Sequence, residues 1–404
     1  MEAALPLVGT RVVALEQAVA APLCTRHLAD LGADVIKVEP PGGEFGRGYD
    51  DVVYGQSSYF VWLNGGKRSV VLDLKIETGR HHFEDLLGSA IVFVHNLGPG
   101  AVERLGFGWQ ILHQRWPGLI SCGISGYGMN GPQRDRKAFD LLLQGESGVV
   151  SLTGSEEQPA KVGVSIADIA SGMYALSAIL AALLERERTG TGHLIDISML
   201  ECLAEWVAAP AYFQRFRGRP PARTGLRHHT IVPYGAFRIA DGSLMNLAVQ
   251  NDGQWKRLCE GVLERPDLSA DSRFESNILR VRNRTILEPL IEEVLSRMER
   301  DDLERRLEAW DVPFGAIHDM GALLDHPQLR ERGRWGTVVT SSGTAPALEH
   351  PINIVGLRRP PRSVPGIGQH TEEVLRELST TPSKDGTTGK ETRAADGKAN
   401  SGSR

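Results

Sequence analysis

The sequence predicts an α/β protein with a large domain on a parallel sheet and a smaller domain of different texture. Three observations carry this. Short β-branched runs alternate with helical apolar patterns through the first half, the signature of βαβ units. An Asp241-Gly242 turn inside TIVPYGAFRIADGSLMNLAV marks a hairpin, and helical patterns follow it. The chain has 404 residues, room for two or three domains at roughly 150 each, and its 41% hydrophobic and 24% charged residues suit a chain that buries a core.

In order, residues 11–15 (RVVAL) form the first strand, and Leu23, Leu28 and Leu31 space a helix over 22–31 that Gly32 ends. Strands follow at 34–38 (DVIKV) and 69–74 (SVVLDL), then a helix over 77–87 ended by Gly88. A strand at 91–94, a helix over 101–116 and a strand at 119–124 continue the alternation. A long helix spans 167–188 with Met173, Leu176, Ile179, Leu180, Leu183 and Leu184 as its stripe, and 193–197 (HLIDI) is a strand. Residues 1–208 thus form the first part of the large domain. The stretch 209–229, with three prolines and several arginines, reads as a linker. The small domain covers 230–325, with helices at 252–263, 283–298 and 301–310. Residues 326–379 return toward the large domain, with strands at 335–339 and 350–355. From 380 to 404 no apolar residue exceeds alanine, so a disordered tail is predicted.

Composition excludes several roles. With 45 basic against 50 acidic side chains, net −5, nothing points to a nucleic-acid partner. Cys24, Cys122, Cys202 and Cys259 are far apart with no CxxC, so neither a zinc site nor a disulfide framework is expected, and a reducing compartment is. The N-terminus lacks a basic stretch followed by an apolar core, and no apolar run approaches the ~18 residues of a membrane span. The expected location is the cytoplasm, with no membrane partner. GxGxxG, the Walker A lysine loop and the GxSxG elbow are all absent, so the sheet serves another chemistry.

Asp168, in GVSIADIASG at the start of the long helix, has two readings. It is an N-cap that accepts a backbone N–H, or a nucleophile whose ionised form the helix N-terminus favours. The two are compatible. Its neighbours Ala167, Ala170, Ser171 and Gly172 are small and leave room for a bulky partner.

Nine peptides in order resemble the class III CoA-transferases, the CaiB/BaiF family that includes formyl-CoA transferase and α-methylacyl-CoA racemases. They are LADLGADVIKVEPPGGE, NGGKRSVVLDL, HNLGPGAVERLGFG, ISGYGMNGP, VGVSIADIASGMYA, GTGHLIDISMLE, VPYGAFRIADG, DVPFGAIHDMGALLDHPQ and GIGQHTEEVL. The resemblance spans about residues 7–378. It implies a Rossmann-like large domain, an inserted smaller α+β domain, and an interlocked homodimer. It implies transfer of CoA between an acyl-CoA and a carboxylic acid, with CoA esters as substrates and no permanently bound cofactor or metal. Asp168 matches the family nucleophile, which forms a mixed anhydride and then an aspartyl-CoA thioester. CoA contacts would fall at Val19, Ala20, Leu72, Lys75, Asn96, Leu97, Arg104, Arg136, Lys137 and Asp140. On their own, Arg104 and Lys137 read as solvated charges and Asn96 as a turn residue, while Leu72 and Leu97 pack on adenine or belong to the core.

Within the family, racemases place a histidine immediately before the aspartate that matches Asp140. Here Phe139 stands there, and it cannot exchange a proton. An isomerase is therefore the runner-up, and a CoA-ester binding protein without turnover a third reading. The glycine run of formyl-CoA transferases corresponds to NLAVQNDGQW, with Gly253 alone. HHTIVPYGAF and SNILRVRNR instead resemble the succinyl-CoA–dicarboxylate branch, which handles glutarate, citramalate or mesaconate. Arg47, His228 and His229 are the candidate cations for a free carboxylate, while the arginines of LRVRNR read as structural.

Overall fold

The computed structural model describes residues 4–357 and 359–380. Six strands form its main sheet: β1 (Arg11–Leu15), β2 (Asp34–Glu39), β3 (Arg68–Val71), β4 (Val92–His95), β5 (Ile120–Ser125) and β6 (Leu194–Ser198). They pair in parallel in the order β3-β2-β1-β4-β5-β6. The chain runs outward from β1 to β3, crosses back to β4 beside β1, and runs outward the other way. Such a reversal opens a crevice at the carboxyl ends of the strands. Val12 to Ala14 and Val92 to Val94 are wholly buried. That is why these strands read as unbroken apolar runs rather than alternation.

The helix Ala20–Asp30 and the long helix Ile166–Thr189 cover one face. The helices Glu77–Ser89, Trp109–Arg115 and Thr371–Thr380 cover the other. The long helix packs tightly on Ala20–Asp30 at Gly172, where a Cβ would lie 2.7 Å from the Ala20 carbonyl oxygen. By length and composition the long helix is apolar enough to cross a membrane, contrary to the expectation from its broken apolar runs. Small residues raise its average hydropathy, and Ala167, Ala170, Ala175, Leu176 and Ile179 bury its inner face in the sheet core.

The expected helix over 101–116 is two, Ala101–Arg104 and Trp109–Arg115, because Gly106 turns the chain at φ +91°. The first half of the expected linker is helical, Ala208–Arg217. Pro210 sits in its first turn, where a missing N–H costs nothing. None of its residues is buried.

Beyond it, β7 (Tyr234–Arg238), β8 (Leu244–Ala248) and β9 (Phe314–Ala316) form an antiparallel sheet. Asp241 closes the β7–β8 turn by accepting the Ser243 N–H at 2.8 Å. Phe237, Leu247, Trp255, Leu258, Ile291 and Leu307 make a core separate from that of the main sheet.

Next, β10 (Trp335–Thr340), β11 (Gly343–Leu348) and β12 (Arg362–Ser363) form a third sheet packed on Phe60 and Val61. The expected strand over 350–355 does not form. The Ile352 N–H bonds to His350 Nδ1 at 3.0 Å, a local turn that competes with a ladder. The helix Thr371–Thr380 then docks beside β3 through Val374 and the Arg68–Glu377 ion pair at 2.7 Å. Thr380, the first residue of the expected tail, closes this helix; the rest of that stretch, 381–404, lies outside the described residues.

Candidate active site

A cavity of about 750 Å³ opens at the carboxyl ends of β1, β4 and β5, on the crevice between β1 and β4. That is a usual size for a ligand site. Gln17 to Ala20 follow β1, Asn96 to Pro99 follow β4, and Ser125 and Gly126 end β5 along its wall. Asp168 reaches it from the long helix.

Asp168 is the third residue of that helix and not its cap. Asp140 does the capping from another element: its Oδ1 accepts the Ala167 N–H at 2.7 Å and the Asp168 N–H at 3.4 Å. Gln144 Nε2 holds the other Asp140 oxygen at 2.7 Å. The capping reading of Asp168 is thus corrected. Among the described residues its carboxylate accepts no hydrogen bond, and it faces the cavity. Burial, with the Asp140 carboxylate adding like charge, pushes its pKa up to about 7. Tyr49 shares the cavity wall, and burial, then Glu44 and Asp168, push its hydroxyl up to about 12. That hydroxyl stays protonated and can donate to an oxyanion.

Of the residues assigned from the resemblance, Val19, Ala20, Asn96, Leu97, Arg136, Lys137 and Asp140 line this cavity with Asp168. Asn96 spends its side-chain amide on the backbone of Gln17, accepting its N–H at 2.9 Å and donating to its carbonyl at 2.8 Å. Arg136 pairs with Glu146 at 2.8 Å. Lys137 forms no ion pair among the described residues. Leu72 is buried in the sheet core, Lys75 is exposed, and Arg104 folds over Gly100; none of the three lines the cavity.

Arg47 also stands outside the lining. It forms a two-pronged pair with Glu39 at 2.6 and 2.7 Å and stacks 3.8 Å above Phe60. His228 and His229 stack on each other, and His228 also stacks on Tyr234, the first residue of β7. Arg280 of LRVRNR is structural: wholly buried, it bonds the Val232 and Phe274 carbonyls.

Sequence reasoning missed Gln17, Phe45, Tyr49, Tyr59 and Lys161, all of which line the cavity. Gln17 follows β1 as Asn96 follows β4, so the rule that found Asn96 would have found it. Phe45 and Tyr49 lie in and just after the single turn Phe45–Gly48, and Tyr59 in the seven-residue helix Ser58–Asn64, elements too short to show a period in the sequence. Phe139 is 64% exposed and forms part of the wall.

One trio of metal-ligating type, His27, Asp30 and His350, is buried elsewhere, with ligand atoms within 4.8 Å of one another. Arg26 at 2.8 Å and Arg362 at 3.4 Å already neutralise Asp30, so an added cation would face two guanidiniums.

A sequence profile of CoA-transferase family III matches residues 7–371. The chain belongs to CoA-transferase family III. As a member of the family it is an enzyme that transfers CoA, with CoA thioesters as substrates. It is 36% identical to the succinate–glutarate CoA-transferase of Agrobacterium fabrum over 386 residues, 93% of this chain and 96% of that one. It is 33% identical to the human succinyl-CoA:glutarate CoA-transferase, over 92% of this chain and 86% of the other. The crystal structure of a CaiB/BaiF family protein from Brucella suis superimposes with a TM-score of 0.80 at 35% identity, covering 92% of this chain and 99% of that one. In this family III chain the cavity at the β1–β4 crevice is the one that holds Asp168.

Proposed function

We propose that this enzyme moves CoA from succinyl-CoA or a similar donor to a dicarboxylic acid such as glutarate, with Asp168 as nucleophile. The observation that carries the mechanism is the unpartnered Asp168 carboxylate, poised near neutrality in the main cleft. The names of the relatives above support the dicarboxylate.

The Asp168 carboxylate attacks the thioester carbonyl, forming an acyl–aspartyl anhydride and expelling CoA thiolate. The thiolate attacks the aspartyl carbonyl, giving the aspartyl-CoA thioester and the free donor acid. The acceptor carboxylate attacks this thioester, and the thiolate leaves again. It then takes the acceptor's acyl group, so that acyl-CoA departs and Asp168 is regenerated. The whole cycle trades one CoA thioester for another and is close to thermoneutral, so a carboxylate that forms a reversible anhydride suffices as nucleophile. The apolar and aromatic wall, Leu97, Phe45, Tyr49 and Phe139, limits access of water to the anhydride.

Enzyme incubated with succinyl-CoA and then hydroxylamine or borohydride should be inactivated and carry a mass change at Asp168. Asp168→Ala should lower kcat by about a thousandfold or more. Full activity in that variant removes the nucleophile assignment. Glutarate, citramalate and mesaconate offered as acceptors, with product CoA esters read by mass spectrometry, test the substrate class.

The proposed assembly is an interlocked homodimer, supported by Tyr212 and Phe216, which stand 67% and 81% exposed on the unburied helix Ala208–Arg217. The proposed location is the cytoplasm; all four cysteines are buried and unpaired, as suits a reducing compartment.

A further inference from the structure

Glu44 lies after β2 and is not part of the cavity lining, yet it holds two walls of the cleft. One oxygen accepts the Ala18 N–H at 2.9 Å and the Gly46 N–H at 3.1 Å. The other accepts Lys37 Nζ at 3.1 Å. Lys37 is wholly buried and also reaches Glu16 at 3.4 Å, while the equally buried Lys67 pairs with Glu16 at 2.6 Å. Two ammoniums and two carboxylates therefore balance within this buried cluster, and none is left alone.

Ala18 needs such a hold. It stands at φ +58°, a left-handed conformation that a Cβ disfavours. Asn96 brackets the adjoining Gln17 from the other side. Glu44 also caps the short turn Phe45–Gly48, which carries Phe45 and leads to Tyr49 on the facing wall.

We propose that Glu44 is a positioning residue for CoA-ester binding: it keeps Ala18 left-handed and locks the wall at 17–20 to the wall bearing Phe45 and Tyr49. The proposal rests on the reading of this cleft as the CoA-ester site. A purely structural role would lie in the charge balance with Lys37. The positioning role lies in the acceptor oxygen offered to Ala18.

The two roles separate by substitution. Glu44→Gln keeps an acceptor oxygen but abandons the Lys37 charge. Glu44→Ala with Lys37→Met removes the acceptor and leaves no unpaired ammonium, since Lys67 still matches Glu16. CoA binding by calorimetry and the KM for succinyl-CoA are measured for each, with circular dichroism as the check on folding. Glu44→Gln should bind CoA within about threefold of the parent enzyme. The Glu44→Ala, Lys37→Met variant should bind at least tenfold more weakly, with a raised KM. Adding Ala18→Gly to it should recover most of that loss, because glycine reaches φ +58° unaided. The proposal is overturned if Glu44→Gln binds as weakly as the double variant, if the double variant binds like the parent, or if Ala18→Gly recovers nothing. Should the double variant not fold, a tenfold loss in Glu44→Gln alone overturns it, and retained affinity supports it. A parent enzyme that binds no CoA overturns the cleft reading and this proposal together.

Discussion

At the scale of single residues, the pair Asp140 and Asp168 sets the pH behaviour. The pKa of Asp168 is raised to about 7, so the folded state prefers its protonated form. The proposed nucleophile is the ionised form. kcat/KM should therefore climb about tenfold per pH unit below pH 7 and level off above it. Asp140→Asn removes the neighbouring like charge and still caps the helix, since asparagine is a good N-cap. It should move the profile toward lower pH without unfolding the enzyme. A profile that stays in place would show that burial alone sets the pKa. Linkage gives the sign for stability. A carboxyl raised in the fold contributes stability below its ordinary pKa of 3.8 and loses it as pH rises through 7. Asp168→Asn should then be more stable than the parent at pH 8, by about 1–2 kcal/mol after discounting for its partial exposure. Thermal unfolding at pH 5 and pH 8 checks both sign and window. The sequence made Asp168 visible by its place at a helix start. It hid the division of labour, because Asp140 comes to cap that helix from 28 residues earlier, through tertiary contact.

At the scale of elements, legibility followed periodicity. Each strand of the main sheet stands within two or three residues of its expected place, because a strand buried on both faces leaves a dense apolar run. The errors fell where one local residue overrules the pattern: Gly106 dividing a helix, Pro210 opening one within an expected linker, His350 turning an expected strand. Gly172 marks the contact that matters most for the site, since it brings the helix of Asp168 against Ala20 at the cleft wall. Alanine is the better helix former by about 1 kcal/mol. Yet its Cβ would press on the Ala20 carbonyl at 2.7 Å and on Leu23 at 3.1 Å. Gly172→Ala should on balance destabilise by about 1–3 kcal/mol. It should also raise the KM for the CoA ester by pushing the two helices apart. Urea titration and steady-state kinetics check the two effects, and a more stable protein would mean that the helices part without cost.

At the scale of the whole molecule, the distribution of the cleft residues bears on assembly. Every residue lining the cavity comes from 17–199, within the part of the chain that carries the six-stranded parallel sheet. The sheet of β7, β8 and β9 and the stacked His228 and His229 contribute nothing to the lining of their own chain's cavity. A dicarboxylate needs a cation for its free end, and Arg47 is already committed to Glu39. If His228 or His229 serves the acceptor, the proposed dimer lets it serve the partner's cleft. Phe216→Glu with Tyr212→Glu should then convert a dimer into monomers in sedimentation, and transfer activity should fall with dimer content. A hybrid dimer makes the stricter test. Chains carrying Asp168→Ala lack the nucleophile; chains carrying His228→Ala and His229→Ala lack the imidazoles. Coexpressed, they should regain activity that neither homodimer shows, because one of the two clefts then combines an intact Asp168 with intact histidines. No recovery, with hybrid dimers verified by mass spectrometry, would place the acceptor's cation within the chain that carries Asp168, and Lys137, which lines that cavity without an ion pair among the described residues, would be the first to substitute.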